Sequence, residues 1–452
     1  MSTSEIKSDA PFIPIILDGD IGSYGLVRSF YEQWHVKSLV FTSMVLGPIR
    51  HSRLLEVVHV EETAADKNRM AFIEKLVEMG PKLAARYPDT PLVLVADQDT
   101  NVVNIQRNAS RLAPFYRFVF PSADVIERTN DKVHFARAAQ KYGLRVPTTL
   151  ELNLDDGTAA LMDAITKNFG DKYPLIIKPC KSYGYEQLRW LGKAKVYTVE
   201  NSSQAQAILG ELETHTAGNP NARRFVAQPR VPGNDTYSLS ITAYVDAEQR
   251  VSFLGSAHVL LEDHVPTALG NSTVMITESY PDLYRQTSAF LRDIGWHGFA
   301  SFDAKVDRSS GEVYFFEVNP RIGRNLYYNT AAGNNPLPAL INDIVYHRPT
   351  QIKPRFDTIL YSVLPIRLIL KYTTGQVRRQ VKELRRAGKV FNPLLAPAER
   401  QFSLRYLRRR FYVLLSTNRH WFKFRRYYPL EALEKIGRES FDTSALRGDN
   451  SL

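Results

Sequence analysis

The sequence predicts an α/β chain in three parts. These are an N-terminal domain on a mostly parallel, Rossmann-like sheet, a middle region of paired strands, and a basic helical C-terminal extension. Three observations predict it. Short apolar strands alternate with helical stretches in the first part of the chain, the pattern of a parallel sheet. Strand runs separated by Gly-, Pro- and Asn-bearing turns follow, ending in "YFFEVNPRIG" at 314–323. Charge then becomes uneven: residues 351–452 carry 22 Lys+Arg and 8 Asp+Glu, a net of +14, whereas residues 1–350 carry 36 and 39, a net of −3. Basic character confined to one segment implies a separate partner surface there.

In order, "FIPIILDGDIGSYGLVRSFYEQ" gives a buried strand from Ile13 to Leu17, a Gly-containing turn and a helix from about Tyr24. "KSLVFTS" and "PLVLVADQD" give two more strands. The Gly19, Gly22, Gly25 spacing is a loose phosphate-binding pattern, for which a simple tight turn is the plainer reading. In "TNDKVHFARAAQKYGLRVPTTLEL", Asn130 or Asp131 caps a helix that Gly143 ends and Pro147 keeps from resuming. "YPLIIKPCKSYGYEQLRWLGKAKVYTVEN" gives a strand ending at Lys178-Pro179, a Gly-bearing loop and a second strand. "RRFVAQPRVPGNDTYSLSITAYVD" gives two strands around a Pro-Gly-Asn-Asp turn. "GFASFDAKVDRSSGEVYFFEVNPRIG" gives a hairpin turning near Ser309 to Gly311. From Leu360 onward the pattern is helical, basic and aromatic.

The hairpin carries the chemistry. Glu317 and Asn319 are two apart and share a face, as do Asp303 and Lys305. With an even register sum, Asp303 faces the same way as Glu317. A carboxylate in an apolar strand needs a compensating cation. Two carboxylates and an amide oxygen are the hard donors that suit Mg²⁺. A pair bridged to Arg321 or Lys305 explains the same residues equally well. Lys132 at a helix start and Lys178 at a strand end can each set an ammonium against phosphate, though as isolated residues both are ordinary surface lysines. "AQPRVPGND" can present backbone to an adenine edge and Asp235 to ribose hydroxyls, or it is a plain hairpin.

In this order the motifs NDK-helix-GLRVP, IIKP-loop, QPRVPG-x-D and FD…FFEVNPR resemble the ATP-grasp superfamily over residues 12–345. That resemblance implies an ATP-grasp fold with an N-terminal pre-ATP-grasp domain at 1–128 and an ATP-grasp domain at 129–350. The latter divides into a small lid-bearing lobe at about 129–227 and a larger lobe at about 228–350. A basic aromatic region fills 351–452. It further implies that Lys132 and Lys178 contact the nucleotide. Lys181, Ser182, Tyr183 and Gly184 form a phosphate lid, here with one glycine and bulky tyrosines. Gln228 stands where the family has an acid at the adenine. Arg230 and Val231 form the hinge that reads the base, and Asp235 holds the ribose. Asp303, Glu317 and Asn319 ligate two magnesium ions, and Arg321, with Lys178, acts on the transferred phosphate. The implied activity joins a carboxylate to an amine with ATP.

"LVADQD" and "NDKVHFARAAQKYGLRVP" are similar to the branch containing D-aspartate ligases of peptidoglycan cross-bridges. That implies an amino-acid carboxylate substrate and a cell-wall precursor peptide as amine acceptor. Ser23, Tyr24, His258 and Arg324 are the candidate substrate contacts. A dipeptide or small-molecule ligase, and an inactive scaffold bound peripherally to a membrane, are the alternatives.

One cysteine, Cys180, excludes an internal disulfide and suits a reducing cytoplasm. "MSTSEIKSDAPF" has no basic region leading into an apolar stretch, so no leader is expected. No apolar run reaches 18 residues. "RYLRRRFYVLLSTNRHWFKFRRYYPL" mixes arginine with aromatics. It suits packing on the main body or a peripheral contact of 400–430 with the inner membrane face. No RNA- or DNA-binding motif accompanies the charge, so no nucleic-acid partner is expected.

Overall fold

The computed structural model describes residues 11–47, 49–62, 69–181, 185, 188–352, 356–400 and 404–447. The first layer is a sheet of β1 (Ile13–Leu17), β2 (Ser38–Thr42), β3 (Leu55–His59), β4 (Leu92–Val95) and β5 (Tyr116–Arg117), in the order β3-β2-β1-β4-β5. Every neighbouring pair is parallel. β1, β2 and β4 are buried along their whole length, which is why they read as unbroken apolar runs. β3 is half exposed and β5 has two residues, so neither left an apolar run. The first helix spans Ile21–Trp34, ahead of the expected Tyr24. Asp20 caps it, accepting from the Gly22 and Ser23 N–H groups.

The small lobe is an antiparallel sheet of β6 (Leu150–Asn153), β7 (Leu175–Pro179), β8 (Tyr197–Val199) and β9 (Arg224–Pro229), in the order β6-β9-β7-β8. Helices Thr158–Phe169 and Ser202–Thr216 cover it through Leu161, Ile165, Leu209 and Leu212. The large sheet contains β10 (Ser238–Val245), β11 (Val251–Glu262), β12 (Ser272–Thr277), β13 (Gly298–Val306), β14 (Val313–Asn319), β15 (Leu360–Ser362) and β16 (Val390–Phe391). Its order is β14-β13-β10-β11-β12-β15-β16. The strands flanking the Pro-Gly-Asn-Asp turn, β9 and β10, therefore lie in different sheets, and 230–237 is the crossing between lobes rather than a hairpin.

β15 and β16 lie beyond residue 350 and extend the large sheet, so the C-terminal segment is continuous with it. Helix Leu404–Tyr427 and the segment after it drive Phe424, Tyr428 and Leu433 into the same core as Val259, Leu261 and Met275. At its other end, buried Arg409 lies 3.8 Å from buried Glu399 and 4.5 Å over the Tyr24 ring. No helix among the described residues is long and apolar enough to cross a membrane.

Candidate active site

A cavity of about 610 Å³ opens between the small-lobe sheet and the large sheet. Its floor is the β13–β14 hairpin. Asp303 stands opposite Glu317 and Ser301 opposite Asn319, the even register that puts Asp303, Glu317 and Asn319 on one face. A bulge follows at once: Ala304 pairs with Phe315, leaving Phe316 extra. Phe316 lines the cavity, with the Lys178 ammonium 5.3 Å from its ring centre.

Neither expected salt-bridge partner takes the carboxylates. Arg321 donates to Asp99 Oδ1 at 2.8 Å, and Lys305 to the Gly233 carbonyl at 2.7 Å. Lys132 is the near cation, its Nζ 3.6 Å from Glu317 Oε2. Helix Lys132–Lys141 starts there because Asp131 caps it, accepting from the Val133 and His134 N–H groups. The Lys132 N–H donates to the Cys180 carbonyl at 3.1 Å, which joins this helix start to the end of β7 and brings the two lysines together.

Burial and the Glu317 charge push the Asp303 carboxyl up to about 7. Burial acts to raise Glu317 as well, but Lys132, Lys195, Lys178 and Arg321 outweigh it and hold that carboxylate well below its usual range. Burial and the charge of Lys132 push Lys178 down to about 8. Asn319 Nδ2 sits 3.5 Å from both carboxylates; turning the amide would present its oxygen beside theirs. Among the described residues no three His, Cys, Asp or Glu side chains gather to hold a metal. Two carboxylates and one amide on the cavity-lining face are hard donors of the kind that suit a magnesium sharing its shell with phosphate oxygens.

On the opposite wall, Gln228 donates its amide nitrogen to Thr149 Oγ1 at 2.8 Å, leaving the amide oxygen as acceptor. The Arg230 N–H goes to the Pro174 carbonyl at 3.1 Å. Asp235 accepts from the Glu262 N–H at 3.0 Å and His264 Nε2 at 2.8 Å. Burial acts to raise Asp235, yet His264 beside it holds it low. Val231, Asp235 and Arg324 also line the cavity.

Other expected residues stand elsewhere. His258 is buried with Nε2 on the Thr236 carbonyl at 2.6 Å and does not line the cavity. Tyr24 is buried and donates to Glu399 Oε1 at 3.1 Å, and Ser23 is buried against the Leu17 carbonyl and Asp20. Substrate contact by these three is thus corrected: they pack the interior. Lys181 does not line the cavity, and Ser182, Tyr183 and Gly184 lie outside the described residues. Tyr185, next to them, is anchored by its hydroxyl, 2.7 Å from Tyr197 Oη.

Sequence reasoning missed several residues in and behind the cavity. Lys195 enters just before β8, and its place beside the Lys178 strand was the available signal. Glu262 ends β11, its carboxyl pushed up by burial and by Asp235. Tyr428 comes from the tail and stacks on His264 at 3.5 Å between ring centres; nothing local marked it. Asp97 follows β4, where the strand order reverses, the usual ligand position in such sheets. It is buried with both oxygens unpartnered, and burial with the charges of Asp20 and Asp18 pushes it well up. Arg324, bonded to Asp20 at 2.6 Å, connects this cluster to the cavity.

A lysine-bearing small lobe closed over an antiparallel sheet with a carboxylate hairpin, preceded by a parallel-sheet domain, defines the class: the chain has the ATP-grasp fold. The biotin carboxylase domain of the Hydrogenobacter thermophilus 2-oxoglutarate carboxylase, in complex with MgADP, matches it with TM-score 0.57 at 13% identity, over 76% of this chain and 72% of that one. The ADP complex of N5-carboxyaminoimidazole ribonucleotide synthetase matches with TM-score 0.53 at 14% identity, over 85% and 88%. No family model matches the chain. In sequence it is a homologue of the D-aspartate ligase of Enterococcus faecium (strain Aus0004), 27% identical over 380 residues, which are 82% of this chain and 87% of that protein.

Proposed function

We propose that the protein is an ATP-dependent carboxylate–amine ligase that forms an amide through an acyl phosphate and releases ADP and phosphate. The observation that carries this reading is the single face of Asp303, Glu317 and Asn319, set in a cavity with Lys132 and Lys178. A carboxylate is a poor electrophile at neutral pH, and phosphorylation makes it reactive. The protein's task is then alignment and charge neutralisation. Asp303, Glu317 and Asn319 would hold magnesium, two ions in this reading, which screens phosphate charge and orients the transferred group. Lys132 and Lys178 grip the phosphates, and Arg321 offsets charge on the group in transit. Gln228 accepts from the adenine amino group, the backbone of Arg230 and Val231 reads the base edge, and Asp235 accepts from the ribose. Lys181, Ser182, Tyr183 and Gly184 cover the phosphates and keep water from the acyl phosphate.

The substrate is D-aspartate or a similar amino acid, activated at its side-chain carboxylate. The mixed cluster at the ends of β1 and β4 suits the rest of that zwitterion: Arg324, which lines the cavity, for the α-carboxylate, with the buried Asp97 behind it. The acceptor is the stem-peptide amine of a cell-wall precursor. A peripheral contact of residues 400–430 with the inner membrane face belongs to the same proposal.

ADP release, measured with a panel of D- and L-amino acids and a lysine-containing stem peptide, tests it. Turnover that depends on both D-aspartate and the peptide is expected. Turnover with other amino acids alone would remove D-aspartate and leave the ligase. No turnover with any pair, together with no Mg²⁺-dependent ATP binding, would remove the ligase.

A further inference from the structure

Helix Leu404–Tyr427 carries eight basic and no acidic residues, and it shows two faces. One face is spent on the core: Arg409, Val413, His420 and Phe424 are buried. The other is largely apolar in the open, with exposed Asn418 the one polar break, between Leu415 and Phe422. Leu404 is 79%, Leu407 55%, Phe411 57%, Leu414 59%, Leu415 46% and Phe422 76% exposed. At 3.6 residues per turn these six fall on one side, opposite the buried stripe. Exposed Arg408, Arg419 and Arg426 flank them on one edge and exposed Arg410 on the other.

A contiguous exposed apolar patch on a protein of this size marks a contact surface. A second copy meeting this face about a two-fold axis would bring arginine against arginine, since no acidic residue lies on the helix to answer them. A water-facing role leaves the phenylalanines unexplained. An apolar stripe edged with arginines fits a surface that offers acyl chains below and phosphate above. The helix is about 36 Å long by its residue count, and lying flat it could seat its whole stripe at the headgroup boundary. We infer that the Leu404–Phe422 face docks the protein on an anionic lipid bilayer. The inference deepens the peripheral contact proposed above, and rests on that reading only for the side of the membrane involved.

Co-sedimentation of the full chain with vesicles tests it without nucleotide or acceptor, so that its outcome is separate from ligase activity. The probes are vesicles of phosphatidylglycerol and phosphatidylcholine in equal parts, and of phosphatidylcholine alone. Binding to the anionic vesicles is expected, with weaker binding to the neutral ones and loss of most of the difference at high salt. The double variant Phe411→Ser/Phe422→Ser should lower partitioning on both vesicle types by roughly tenfold or more. Arg408→Gln/Arg410→Gln should lower it by a similar factor on anionic vesicles only. Each variant should keep the parent's circular dichroism and Mg²⁺-ATP affinity. Absence of vesicle binding by the parent overturns the inference. So does binding that the serine variant retains, or a parent dimer that the serine variant dissolves, which would make the face a self-association surface.

Discussion

Replacing Glu317 with Gln keeps the side chain's shape and removes one charge from the cavity floor. Lys132 lies 3.6 Å away, which at an effective dielectric near 20 is an attraction of about 5 kcal/mol. Desolvation offsets part of it, so breaking the pair leaves a net loss of ~3 kcal/mol of apo stability. Against a domain of this size that loss lowers the melting temperature by a few degrees without unfolding the chain at room temperature. The functional loss is larger, because in the proposed reading one of two anionic magnesium donors is gone while Lys132, Lys178 and Lys195 remain. Mg²⁺-dependent ADP release is expected to fall by on the order of a thousandfold. The Asp303 carboxyl, held at about 7 by burial and by the Glu317 charge, should drop toward its ordinary value once that charge leaves. Coupled ADP release, calorimetric Mg²⁺-ATP binding and a thermal melt read the three effects. A variant with the parent's turnover and magnesium dependence would refute the metal assignment.

Three further outcomes follow from the same geometry. Tyr428→Ala removes the ring stacked on His264 and should weaken nucleotide binding by ~1 kcal/mol, roughly fivefold, in a titration; unchanged affinity would place the tail outside the site. Gly22→Ala sets a methyl into the Asp97 carboxylate and the Arg324 side chain, so KM for the amino acid should rise roughly tenfold or more while ATP affinity holds. An equal rise in both would detach the Asp97 cluster from amino-acid binding. His420 is pushed down to about 4 by burial and by Lys423, so it is neutral in the fold and charged in the unfolded chain below 6.5. Its contribution is full above pH 6.5 and drains as pH falls toward 4, about 3 kcal/mol in all. Melts of the parent should show that acid loss and melts of His420→Gln a smaller one; identical acid profiles would refute it.

What was legible in the sequence is what local geometry decides. Asp303, Glu317 and Asn319 share a face because a strand alternates sides every residue and a short turn sets the register. Lys132 and Lys178 were marked by an Asp cap and by a strand-ending Pro. Tyr24 and His258 lie in the interior because their partners come from other elements: Tyr24 turns toward Glu399, 375 positions along the chain, and His258 toward the Thr236 carbonyl, and no local pattern announces either. The crossing at 230–237 looked like a hairpin for the same reason, since a turn between two strands does not say whether they share a sheet.

The basic tail shows where composition misleads and spacing does not. Counted together, the arginines and aromatics of 404–427 give one mixed impression, and packing on the body competes with membrane contact as if the two were exclusive. The helix packs on the body with one stripe and leaves a second, apolar stripe exposed half a turn away. Positions 409, 413, 420 and 424 form one buried stripe, while 404, 407, 411, 415 and 422 form the other, exposed one. Each set follows the helical period, with one two-turn step of seven residues, and the two interleave without sharing a residue. An amphipathic helix normally sets its apolar stripe against charge. This one buries Arg409 against Glu399 and exposes leucine and phenylalanine, the inverted arrangement on which the proposed membrane contact rests.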